Sequence, residues 1–320
     1  MKKINKAFAI FALIGLTYAC DDVLEEDITD DIMQIIAPTE GTVIEGNTAT
    51  FSWVNLDGAD EYRIQIANST QSIIVDSLVT GTSFNYTINP GAYNWRIKGV
   101  NFAYETAYTF PSNFTVEASE DLSMQTVALS TPTDNLYTNN DSFIFTWGTI
   151  ITADSYTFEL IKNDGGEQTV VGPITGITTG NYSVTDASVF DVDAEYIWKV
   201  KAVNATSETL NSQRTLFIDR VAPNQPTLVS PDDMDTTTDL TNTFTWANGT
   251  DTGNLQTEIT NTIEIASDVN FNTIIETAQT TNNTHQYTFA SIGTYYWRVK
   301  ATDAAANASD NSTVRSIEIQ

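Results

Sequence analysis

The chain is short of the residues that most enzyme chemistry needs. It holds one cysteine, Cys20, and one histidine, His285, in 320 residues. A single thiol cannot close an internal disulfide, and one thiol with one imidazole cannot build a tetrahedral zinc site. Nucleophilic catalysis of the Ser–His or Cys–His kind would have to run through His285. That residue lies in Asn283-Thr284-His285-Gln286-Tyr287, which has no nucleophile motif beside it and reads as a strand edge. No glycine-rich phosphate loop and no dinucleotide fingerprint occurs. Bases are scarce as well: 14 Lys and Arg stand against 41 Asp and Glu, a net charge of −27. So negative a surface repels phosphate backbones, which excludes nucleic acid as a partner.

What is present begins with a segment built for export. Lys2, Lys3 and Lys6 precede an apolar run, Ala7 to Leu16, and then Thr17-Tyr18-Ala19-Cys20. A basic start, about ten apolar residues and a small residue before the cut have the layout of a secretory signal. The run is too short for a spanning helix, which needs about 20 residues. Ending at Ala-Cys, residues 1–19 resemble a lipoprotein signal peptide, which implies that Cys20 becomes the lipid-modified N-terminus and anchors the chain to a membrane; an ordinary secretory signal is the plainer reading. Residues 20–35 include Asp21-Asp22-Val23-Leu24-Glu25-Glu26-Asp27-Ile28-Thr29-Asp30-Asp31, a like-charged block that reads as an extended, flexible tether. The block resembles the acidic tag that sends some Gram-negative lipoproteins to the outer face of the outer membrane. In other bacteria, Asp after that Cys implies retention at the inner membrane.

The rest of the chain repeats itself at intervals of about 95–100 residues. One marker is Phe-x-Trp, at Phe51-Ser52-Trp53, Phe145-Thr146-Trp147 and Phe244-Thr245-Trp246. A second is Tyr-x-Trp followed by alternating basic and β-branched residues, from Tyr93, Tyr196 and Tyr295 to Lys98, Lys201 and Lys300. Together they use all six tryptophans: Trp53, Trp95, Trp147, Trp198, Trp246 and Trp297. Alternation gives the physical reading. Tyr295, Trp297, Val299 and Ala301 share one face of a strand, and Tyr296, Arg298, Lys300 and Thr302 share the other. The tryptophans therefore belong inside, as structural core, and not on a binding platform. Between the markers run Tyr62-x-Ile64-x-Ile66, Tyr156-x-Phe158-x-Leu160 and Asn261-x-Ile263-x-Ile265, with turn residues such as Asn89-Pro90-Gly91 as punctuation.

Short strands in units of this length predict an all-β chain of three tandem antiparallel β-sandwiches. A Trp on the second strand, a Tyr on the third and Tyr-x-Trp on the sixth resemble the fibronectin type III pattern, within the immunoglobulin-like class. The resemblance implies domains at 36–118, 125–219 and 222–320. It also implies that Tyr93, Tyr196 and Tyr295 are corner tyrosines, whose hydroxyls bond to backbone upstream. Asn261 departs from the pattern, standing where the first two repeats have Tyr62 and Tyr156.

Three features remain as functional candidates. The carboxylates offer many pairs, but a catalytic pair needs a cleft that raises one pKa, and sandwiches of this size rarely build one. The expectation is a protein that is not an enzyme and carries no cofactor. Asp219 and Asp303, in loops at the joint between the second and third repeats, are candidate ligands for a structural calcium ion; scattered, solvated acids are the other reading of the same residues. The third feature is Asn101 to Pro111. There Phe102, Tyr104, Tyr108 and Phe110 share parity, so that a hairpin would line them up on one side, either as a contact patch for a glycan or a partner protein or as an extension of the core of the first sandwich. The equivalent stretches of the other repeats have no aromatic residue. A membrane-anchored binding or display protein of the cell envelope is the function these readings imply. The alternatives are a glycan-binding lipoprotein of a polysaccharide-uptake system, which such proteins resemble in anchor and sandwich plan, and a structural spacer.

Overall fold

The computed structural model describes residues 25–320; the expected signal segment and the expected lipid-anchor residue Cys20 lie outside them. Each repeat folds as a β-sandwich of eight strands, three in one sheet and five in the other. In the second, the three-stranded sheet runs Asn181–Val184, Phe143–Trp147, Leu129–Thr131. Its partner runs Leu136–Thr138, Ser212–Ile218, Glu195–Val203, Ser155–Asn163, Glu167–Ile177. The third and first sandwiches repeat this order. Among the described residues no helix is long and apolar enough to cross a membrane. A 3₁₀ turn, Ala187–Phe190, is capped by Asp186, whose Oδ1 accepts from Ser188 N at 3.0 Å.

Alternation builds these layers. Glu195–Val203 buries every second residue, Tyr196, Trp198, Val200 and Ala202, and leaves those between partly exposed. Trp198 meets Phe145 of the opposite sheet with ring centroids 5.2 Å apart. All six tryptophans are buried, and Phe51, Phe145 and Phe244 lie beside them with no exposed surface.

One departure from antiparallel pairing comes from proline. Pro132 ends the first short strand, because it lacks the amide a ladder needs. The chain then crosses to the other sheet, where Leu136–Thr138 lies parallel to Leu216–Ile218. Pro231 marks the same crossing in the third sandwich, where Asp235–Thr237 pairs parallel to Ile317–Ile319.

By compactness the chain divides into two units. One comprises the described residues up to Thr42 with Thr50–Phe84 and Ala92–Phe114. The other comprises Val43–Ala49, Asn85–Gly91 and Thr115–Gln320, and so holds the second and third sandwiches. In the first unit the acidic stretch is not a free tether from residue 25 onward. Ile28 and Met33 are buried, and Asn101 Nδ2 donates to Glu26 O at 2.8 Å. Two apolar side chains among the acids supply the reason. The expected flexible tether of 20–35 is corrected over 25–35; residues 20–24 lie outside the described part.

Candidate functional site

The return segment of the first sandwich, between strands Gly91–Val100 and Ser112–Glu117, does not form the expected hairpin. One isolated bridge joins Val100 to Glu105. Beyond it, hydroxyls replace carbonyls as acceptors. Thr106 N donates to Gly99 O, and Thr106 Oγ1 accepts from Gly99 N at 3.1 Å. Thr109 repeats the arrangement on Ile97, with Oγ1 accepting at 3.2 Å. The motif recurs: Thr209 stitches to Ala202, and Ser309 and Ser312 stitch to Ala301 and Val299. Its signal, a hydroxyl residue repeated three positions on, is present as Thr106/Thr109, Thr209/Ser212 and Ser309/Ser312. Searching the repeats for aromatic and apolar matches passes over it.

This path separates the four aromatics. Phe102 and Phe110 are each 94% exposed, whereas Tyr104 is 38% exposed. Tyr108 lies half-buried on the strand beside it, with the Arg96 guanidinium carbon 4.4 Å and Lys98 Nζ 5.0 Å from its ring centroid. Lys98 also reaches Glu105 Oε2 at 2.5 Å. Burial raises the Tyr108 hydroxyl above its usual pKa, and the charge of Asp76 adds to the shift. Asp76 is itself gripped by Arg63, through Nε to Oδ1 at 2.7 Å and Nη2 to Oδ2 at 3.0 Å, which holds its carboxyl low. Tyr108 therefore belongs to the sheet's outer polar layer, and Phe102 and Phe110 carry the exposed apolar surface. A cavity of about 280 Å³ is lined by Asp31, Ile32, Met33 and the segment Ala107–Phe110.

The corner hydroxyls of the other two sandwiches bond upstream: Tyr196 to Val192 O at 3.0 Å and Tyr295 to Ser291 O at 2.9 Å. Tyr93 stacks on Phe114. Asn261 is fully buried and donates to Asn248 Oδ1 at 2.9 Å, in the place where Tyr62 and Tyr156 receive amides from Leu56 and Ile150. His285 Nε2 stands 3.3 Å from Glu276 Oε1, within ion-pair range but without hydrogen-bond alignment.

Asp219 and Asp303 are joined by Asp251, which sequence reading did not single out. One carboxylate oxygen from each lies within 4.8 Å of the other two. Asp219 has no exposed surface. Its Oδ1 accepts from Val221 N at 3.1 Å, and its Oδ2 has no hydrogen-bond partner. Burial raises its pKa; the Val221 amide opposes that, while the charges of Asp303 and Asp251 reinforce it.

No protein-family pattern matches the chain, and no curated protein matches it by sequence. Solved structures with a similar course include the FN1–FN3 domains of chicken CNTN1, at 16% identity and TM-score 0.45, covering 90% of this chain and 98% of that one. Domains A168-A170 from titin are similar at 10% identity and TM-score 0.34, covering 88% and 96%. The fibronectin(III)-like modules of Clostridium thermocellum CbhA are similar at 15% identity and TM-score 0.23, covering 59% and 94%.

Proposed function

We propose that the chain is a non-catalytic protein of the cell envelope, anchored through lipidated Cys20, that displays its tandem sandwiches for binding. The observation that carries this reading is the exposure of Phe102 and Phe110, two large apolar rings on a segment stitched firmly to a strand. A buried ring would be packing; a ring 94% exposed on an ordered segment costs solubility and is kept where it is covered by something else. The lone histidine, His285, which has no nucleophile motif beside it in the sequence, supports a role without chemistry. The readout is protease shaving of intact cells that carry an epitope-tagged full chain, beside a Cys20→Ala control. Wild type should be removed and the control released or mislocalised. Protection of wild type until lysis would place the sandwiches in the periplasm and end the surface-display reading.

Recognition of a glycan is the second reading, favoured by the aromatic character of the exposed pair. A Phe102→Ala/Phe110→Ala variant should melt within about 0.5 kcal/mol of wild type, since neither ring is packed. It should also lose retention in affinity electrophoresis through polysaccharide gels that retard wild type. Equal retardation of both proteins would remove the patch from the account.

A further inference from the structure

The three sandwiches share a latch, and the third has altered it. In each, the residue after the strand bearing Tyr-x-Trp sits where the return segment begins: Asn101, Asn204 and Asp303, each next to the bridges Val100–Glu105, Val203–Glu208 and Thr302–Ala308. In the first two, the Asn amide donates to two carbonyls at once. Asn101 Nδ2 reaches Glu26 O and Gly58 O, both at 2.8 Å. Asn204 Nδ2 reaches Glu120 O at 2.8 Å and Thr152 O at 3.2 Å. The amide thus pins the lead-in segment of its sandwich to a neighbouring loop. Asp303 has no hydrogen to give. Asn307 takes over one duty, donating to Asp219 O at 2.9 Å, and also bonds Asp303 Oδ2.

The lead-in residue changes in parallel. Glu26 and Glu120 are exposed, whereas Asp219 is shorter and fully buried. Asp251 adds a third carboxylate, and this is the one place among the described residues where three converge. Arg220, the nearest base in sequence, is committed elsewhere: its Nε pairs with Asp193 at 2.7 Å and its Nη2 donates to Phe190 O. Two donors have been exchanged for charge, with a buried carboxylate oxygen left unpartnered. A buried anion without a counter-charge is costly, and a cation is what such a set is built to hold. Carboxylate oxygens suit a hard ion. Oxygens that all lie within 4.8 Å of one another fit inside the span across calcium, twice a bond of about 2.4 Å, whereas magnesium demands near-ideal octahedral geometry, gives up its waters reluctantly and is seldom held by protein carboxylates alone.

We propose that this joint binds one calcium-sized divalent cation through Asp219, Asp251 and Asp303. The ion ties the end of the second sandwich to two loops of the third and does the work the Asn amide does in the other two. The inference is independent of the surface patch. The test uses the full chain stripped with a chelator, in about 0.15 M NaCl to screen the general acidity of the surface. Calorimetric titration with CaCl₂ should give one site with Kd between about 10⁻⁵ and 10⁻³ M, and saturating Ca²⁺ should raise one melting transition by several degrees. Asp303→Asn restores the residue of the other sandwiches and removes a charge. It should melt without calcium at or above the wild-type temperature and bind Ca²⁺ at least tenfold more weakly. The proposal is overturned by a wild type that gives neither heat nor a melting shift at about 10 mM Ca²⁺. Wild-type affinity in Asp303→Asn, or an equal response to Mg²⁺, overturns it too.

Discussion

Replacing Trp198 with alanine is expected to unfold the second sandwich selectively, at a cost of about 3–5 kcal/mol. Trp198 has no exposed surface, stands 5.2 Å from Phe145 across the two sheets, and belongs to a cluster that includes Phe158, Tyr196 and Leu216. Removing the indole leaves a cavity bounded by strands of both sheets, which cannot close without breaking ladders on either side. A unit of about 95 residues has on the order of 5–14 kcal/mol to lose, so the change consumes a large share of it. The indole Nε1 has no hydrogen-bond partner, so the loss is one of packing alone. Trp198→Phe should therefore cost far less than the alanine variant. Chemical denaturation should show an early transition in Trp198→Ala that wild type lacks. A variant that melts with wild type would remove Trp198 from the load of that core.

The second large effect is expected at Gly172, in the edge strand Glu167–Ile177. Its φ of +88° lies in the left-handed region, and a Cβ there would come within 2.6 Å of Phe158 O and 2.7 Å of Ile174 N. Both obstacles are backbone and cannot rotate away. Gly172→Ala should cost about 2–4 kcal/mol, combining the left-handed penalty with overpacking against a neighbouring strand. Gly176 has φ +75° but open space around it, so Gly176→Ala isolates the conformational part, about 1–2 kcal/mol. Gly166 has neither obstacle, and Gly166→Ala should be nearly silent. Thermal melts of the three variants should rank in that order. Equal melting of all three would mean that the edge strand can slide free of its partner.

The layers were readable because alternation and the paired tryptophan markers act through burial, which leaves a period-two trace in sequence. Glu195–Val203 buries the residues its parity assigns. Other features have no such trace. The sheet switch at Pro132 depends on where a missing amide falls relative to a partner strand far along the chain. Ile28 and Met33 lie among and just after the acids at a spacing that matches neither strand nor helix, and Ile32 beside Met33 is exposed, so nothing in the sequence marks them as the two that fill buried places. Parity misplaced Tyr108 because the segment around it is not a strand: hydroxyl acceptors set its course. Asp251 could not be joined to Asp219 and Asp303 from sequence, since a loop of one sandwich and the last residue of another meet only in space.

The hydroxyl stitches have a consequence for how the copies diverge. The strand beside the return segment is fastened at two hydroxyls in the first and third sandwiches and at Thr209 in the second, and the side chains of the two positions after the first of these hydroxyls take no part in that bonding. They have drifted to Ala107-Tyr108 in the first copy, Leu210-Asn211 in the second and Asp310-Asn311 in the third. A repeated unit can thus exchange what it offers to the outside while its scaffold keeps the fastening at Thr106, Thr209 and Ser309. The segment behaves as a cartridge, held at fixed points and open in content, and the three copies are three loadings of it.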